Sequence, residues 1–173
     1  MRIVVWLAEG TWPAGVDAAR GIAPPDAEIV LLHVDDPALA AGVSAYAGLL
    51  GRGRRAADPI AAAAGAAERD LLAAAEARLG RPAQTRVLHG RADRTVTAAA
   101  EGADLLVVVR DGDLHRLGPR SLAPPTRFVV DHAPCPVLLI WPEATPAVTT
   151  IPPPAPHSPD PPHPPRHPRP PHP

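Results

Sequence analysis

Residues 107–121 read VVVRDGDLHRLGPRS. An apolar run breaks there into a loop holding Gly112, Gly118, three arginines (Arg110, Arg116 and Arg120) and Ser121. Those residue types suit anion capture. Glycines let backbone N–H groups come close to a phosphate, guanidinium groups grip it through paired hydrogen bonds, and a hydroxyl adds a donor. The same loop carries Asp111 and Asp113, which repel an anion and offer the arginines partners of their own. Two readings follow. In one, the loop holds a phosphate or another acidic ligand. In the other, a tight turn at Asp111 and Gly112 leads into a solvated stretch in which acids and arginines neutralise each other. The acids favour the second.

Other residues with reactive chemistry are fewer. His33 closes an apolar run and suits either a ligand contact or a ring satisfied by a backbone carbonyl; the second is the commoner fate of such a histidine. His132 and Cys135 stand close enough in sequence to suggest a Cys–His nucleophile. Pro134 and Pro136 bracket the thiol as the chain enters an apolar strand, which points to a buried, inert cysteine. Asp35 and Asp36 precede Pro37 and read as a strand closure or a cap for the next turn rather than a catalytic pair. GRGRR at residues 51–55 is a short basic stretch in a weakly patterned loop, 38–58. His157, His163, His167 and His172 are spaced irregularly along a proline-rich tail, so no preformed metal site is expected.

Composition removes several classes. All 17 basic residues are arginine, which excludes a phosphate-loop lysine or a Schiff base. A single cysteine excludes an intramolecular disulfide and a multi-cysteine zinc site. A formal charge of −1 with no long run of either sign offers no nucleic-acid footprint. No apolar run reaches membrane-spanning length, and a cytoplasmic protein is expected. There is no complete dinucleotide fingerprint, phosphate-loop motif or nucleophile elbow, so the chain is not expected to be an enzyme.

The elements that must position these residues are legible from periodicity. RIVVWL (2–7), EIVLLHV (28–34) and DLLVVV (104–109) are apolar on both faces, as in strands of a covered parallel sheet. TRVLH (85–89) alternates and suits a strand near an edge. VLLIW, Val137 to Trp141, is the last strand. Helices are expected after Thr11, from Pro59 to about Leu79, over RTVTAAAE with Asp93 as its cap, and over TRFVVDH. Strands alternating with helices force right-handed crossovers, giving an α/β fold: five parallel strands in a doubly wound, three-layer domain over residues 1–142. In such sheets ligands bind at the strand carboxyl ends where strand order reverses. Leu7–Gly10, His33–Asp35 and Val109–Gly112 then surround one crevice. About half of the 26 prolines follow Trp141, so residues 143–173 are expected to be a disordered, polyproline-like tail. The tail is a solvated extension or a ligand for an unidentified protein partner.

GADLLVVV, a glycine-containing loop, and then TRFVVDHAPCPVLLIW resemble the C-terminal half of the universal stress protein (UspA) family. HAPCPVLLI is the most specific segment, and IVLLHV and GRADRTVTAAAEGAD sit where that family has them. The resemblance spans about residues 1–142. It implies a flavodoxin-like sheet, a role in stress physiology and a homodimer, here through the last strand: Val137, Leu138, Leu139, Ile140 and Trp141. Some members of the family bind ATP through an Asp after the first strand, a Val after the second and the pattern G-x2-G-x9-G-(S/T) after the fourth. Here Ala8 stands at the Asp position and Val34 matches the Val. Counting back from HAPCP, Arg110 and Asp113 fall on the first two glycines, and Ala123 and Pro124 on the final Gly-Ser. A shift of one residue brings Gly112 onto the second glycine. The resemblance therefore carries over Val34 and Gly112 alone, with Arg110, Arg116, Arg120 and Ser121 as candidate anion contacts. It implies a degenerate nucleotide site and no firm cofactor. The alternative is an ATP-binding protein that uses the altered loop.

Overall fold

The computed structural model describes residues 1–36 and 57–153. The GRGRR stretch and the four tail histidines lie outside the described residues. Three apolar runs form the centre of the sheet: β1 (Arg2–Trp6), β2 (Glu28–Asp35) and β4 (Leu105–Val109). β3 (Gln84–His89) and β5 (Val137–Ile140) form its edges. The order is β3-β2-β1-β4-β5, with every pairing parallel. This is the five-stranded, doubly wound α/β sheet expected from the alternation of strands and helices.

The pleat sorts the side chains onto two faces. Ile3, Val5, Ile29, Leu31 and Val107 pack under α1 (Trp12–Ile22) and α2 (Ala57–Leu79). Val4, Trp6, Val30, Leu32, Leu106 and Val108 pack under α3 (Ala92–Ala99) and α4 (Pro124–His132). Both faces are covered, which is why these runs are apolar throughout rather than alternating. Most of these side chains are completely buried. Each contributes about 1.5–3 kcal/mol relative to exposure, enough to hold the strand ends in fixed register beneath the loops.

Two local details depart from sequence expectation. Thr11 precedes α1 as its cap residue, but its hydroxyl reaches the carbonyl of Ala8 at 3.5 Å rather than a helix N–H. Residues 143–153, which composition assigned to the tail, run back over the domain. A single 3-10 turn, Val148–Thr150, sets Thr150 Oγ1 to accept the Leu117 N–H at 3.0 Å. Pro152 lies 3.9 Å from where a side chain would begin on Gly118. The start of the tail therefore straps the loop that follows β4.

Candidate functional site

Strand order reverses between β1 and β4. A cavity of about 490 Å³ opens there at the carboxyl ends of the strands, where doubly wound sheets place their ligands. Its apolar wall includes Trp6, Leu7, Val34, Pro124 and Pro125, and its polar rim Glu9, Asp35, Asp36 and Asp111. His33 is buried beside it and its Nδ1 meets the Leu7 carbonyl at 3.3 Å. A carbonyl can only accept, so Nδ1 is the donor. The expectation of a strand-end histidine satisfied by the backbone is met, and the same ring also lines the crevice.

The three rim aspartates hold partners within the fold. Asp36 Oδ2 accepts the Ala92 N–H at 2.9 Å, filling an orphan donor at the N-terminus of α3 from just past the end of β2, 56 residues away in sequence. Asp93 had been expected to cap this helix; instead it lies in the first turn, behind Arg91. The Arg91 guanidinium grips it at 2.7 and 3.2 Å and the Arg94 N–H donates to it at 2.8 Å. The Arg91 hydrogen bonds hold the Asp93 carboxyl below the usual carboxylate range. Asp35 faces His89 at 3.2 Å.

Asp111 decides the character of the loop after β4. Its Oδ1 accepts the Ala123 N–H at 2.9 Å, and its Oδ2 accepts the hydroxyl of Thr126, a fully buried residue, at 2.7 Å. The carboxylate sits on the N-terminus of α4, where the helix dipole and free N–H groups favour a negative charge. A helix N-terminus of this kind is also a seat that suits a phosphate. Pro124 and Pro125 supply no N–H there.

The loop then closes on itself. The Gly112 N–H donates to the Ser121 carbonyl at 3.1 Å and the Asp113 N–H to the Arg120 carbonyl at 2.8 Å. A methyl group on Gly112 would lie 2.8 Å from the Ser121 carbonyl carbon and 2.9 Å from the Leu122 nitrogen, so the glycine serves close approach of the loop's own backbone. Arg110 donates to Ser121 Oγ and stacks its guanidinium 4.6 Å from the Trp141 ring centroid. Its Nε is buried without a partner, and burial pulls its pKa down. Ser121 is fully buried and donates to the Gly118 carbonyl at 2.7 Å. Arg116 pairs with Asp113 at 3.0 Å, and Arg120 is exposed. Of the nucleotide and anion contacts that the resemblance carried over, Val34 lines the crevice, as do His33, Asp35, Asp36 and Asp111; Gly112, Arg110, Arg116, Arg120 and Ser121 belong to the closed loop beside it. His132 stacks on Phe128 at 4.0 Å and its Nδ1 bonds that residue's carbonyl. Cys135 is half-buried, and burial pushes its thiol up, away from the reactive thiolate.

The family model of the universal stress protein family matches residues 16–140. The chain belongs to the universal stress protein family. Solved structures share the universal stress protein fold. The hypothetical protein MJ0577 is 18% identical at a TM-score of 0.58, covering 83% of this chain and 97% of that one. A universal stress protein in complex with cAMP is 21% identical at 0.55, covering 83% and 98%. An Arabidopsis thaliana universal stress protein family member with AMP bound is 16% identical at 0.51, covering 82% and 91%. No curated protein matches the chain. No helix among the described residues of this universal stress protein is long and apolar enough to cross a membrane.

Proposed function

We propose that this universal stress protein is a non-catalytic regulatory or binding module of stress physiology whose nucleotide site is closed. The observation that carries the reading is Asp111: its carboxylate takes the Ala123 N–H and the Thr126 hydroxyl at the helix N-terminus that a phosphate would need. The consumed N–H of Gly112 and the two prolines that follow Ala123 support it. Calorimetric titration with ATP, ADP and AMP tests the reading directly. No heat is expected, and ATP with Mg²⁺ should leave the melting temperature unmoved, since only a ligand that binds the native state raises it. A micromolar ATP isotherm overturns it.

One observation favours a second reading, ATP binding by a rearranged loop: the 490 Å³ crevice persists, with Val34 in its wall. The cAMP and AMP complexes of structural neighbours give it a ligand class. The edge strand β5 and Trp141 after it suit pairing with a second copy. We include a homodimer through residues 137–141 in the proposal. Native mass spectrometry of freshly purified protein should show a dimer without nucleotide. A monomer mass removes the dimer, and a retained nucleotide supports the second reading.

A further inference from the structure

We infer that the open edge of β3, with the outer face of α3, docks an extended acidic segment of a partner protein as an added strand. β3 pairs with β2 alone, so its other edge carries no ladder among the described residues. An unpaired edge offers backbone N–H and C=O groups to a chain that can lie beside it. A shallow groove of about 420 Å³ lies there, lined by Arg86 and Leu88 of β3 and by Arg94, Thr95, Ala98 and Ala99 of α3. Leu88 and the two alanines make it apolar, and Arg86 and Arg94 give it positive charge. No acid lines it among the described residues.

Both arginines are exposed, and neither guanidinium has a hydrogen bond or an ion pair among the described residues. Arg94 is held in place all the same. Its Cζ lies 4.3 Å from the Phe128 ring centroid, and Phe128 stacks on His132 at 4.0 Å. Stacking uses the face of a guanidinium and leaves the N–H donors around its edge for a carboxylate. A fork fixed before binding loses less entropy when the carboxylate arrives. The Asp93 carboxylate belongs to the Arg91 guanidinium, at 2.7 and 3.2 Å. Arg94 reaches that carboxylate through its backbone N–H and otherwise acts on it as a nearby charge.

The chain does not supply the acidic occupant itself. Residues 37–56 hold Arg52, Arg54 and Arg55 and no acid. Residues 154–173 hold one acid, Asp160, among prolines that have no N–H to give a ladder. A second copy pairing edge to edge would bring its own Arg86 to the same seam, like charge against like. What fits is a strand of another protein with acids and an apolar residue alternating on one face, so that the acids meet the arginines and the apolar residue meets Leu88.

The probe is the blocked peptide TETVTET, titrated into the full chain and followed by backbone amide chemical shifts. Shifts should concentrate at residues 84–89 and 94–99 and saturate below about 1 mM peptide. The charge-reversed peptide TKTVTKT should bind about tenfold more weakly. So should TETPPET, in which adjacent prolines remove an N–H from either edge of the added strand. Arg86→Gln and Arg94→Gln, both at exposed side chains, should each weaken TETVTET about threefold and together about tenfold. Equal binding of TETVTET and either control peptide, unchanged affinity in the double variant, shifts centred on another edge, or no saturation overturns the proposal. A short oligo-dT strand that shifts the same residues at lower concentration than the peptide marks the arginines as a polyanion site and overturns strand addition. None of the groove residues lines the crevice, so the outcome is independent of both nucleotide readings.

Discussion

Replacing Asp111 by Ala removes one carboxylate that holds two different groups. The first loss is a cap: the Ala123 N–H, bonded at 2.9 Å, returns to being an orphan donor at the start of α4. Lost capping side chains cost about 1 kcal/mol. The second loss is internal. Thr126 is fully buried and its hydroxyl donates to Asp111 at 2.7 Å. Leaving a buried donor unsatisfied costs about 1–3 kcal/mol. The sum for Asp111→Ala is about 3 kcal/mol, or roughly 6–12 °C in Tm for a chain of this size. Asp111→Asn keeps one acceptor for the Ala123 N–H and offers an amide to the Thr126 oxygen, so it should cost about 1 kcal/mol. Urea denaturation followed by circular dichroism reads both values, provided the slope with urea is unchanged between variants. A cost below about 0.5 kcal/mol for the alanine variant, or equal costs for the two variants, would refute the assignment of Asp111 as the group seated on α4.

Three further outcomes follow from the same geometry. Gly112→Ala should lose about 2 kcal/mol or more in urea denaturation, because the added methyl meets backbone of residues 120–122 that has no side-chain freedom to yield. Thr150→Val removes the acceptor of the Leu117 N–H; hydrogen exchange at Leu117 should speed up about fivefold, the equivalent of roughly 1 kcal/mol of local opening. Asp93, with its pKa depressed by Arg91, contributes stability that is complete above the unfolded value of about 3.9 and is lost as pH falls through the lower folded value. Asp93→Asn should therefore be less stable than the parent at neutral pH, and the gap should close in acid unfolding below about pH 4.

The sheet was legible in the sequence because its information is local. Doubly covered strands need residues such as those of IVVW and LLVVV, and the breaks between them need Gly, Pro and Asp. The candidate site was legible only where its chemistry is also local. Missing glycines and two consecutive prolines after Ala123 pointed to a loop poorly made for phosphate. The reason the loop is stable was hidden, since Asp111 finds its partners 12 and 15 residues later, across a turn that no period announces. In isolation Asp111 read as a charge that repels anions, pairs with the loop arginines or opens a turn at Gly112. Asp93 was given a capping role that Asp36 performs from just past the end of β2. Arg110 looked like an anion contact because nothing in its neighbourhood in sequence shows Trp141 beneath it. The strap formed by Thr150 was concealed by the proline content around it, which reads as unstructured chain.

On the proposed closed-site reading, Asp111 also makes the order of the loop independent of the anion supply. A bound anion would stabilise the native state by an amount that rises with the logarithm of its free concentration and vanishes on dialysis. A carboxylate carried by the chain is always present at its seat, one per molecule. It contributes the same increment in dilute buffer as in a crowded, nucleotide-rich cell. Where a dissociable ligand would link the stability of this loop to the supply of that ligand, the covalently attached group sets it at synthesis. Swings in the anion pool would then leave the order of residues 111–126 unchanged.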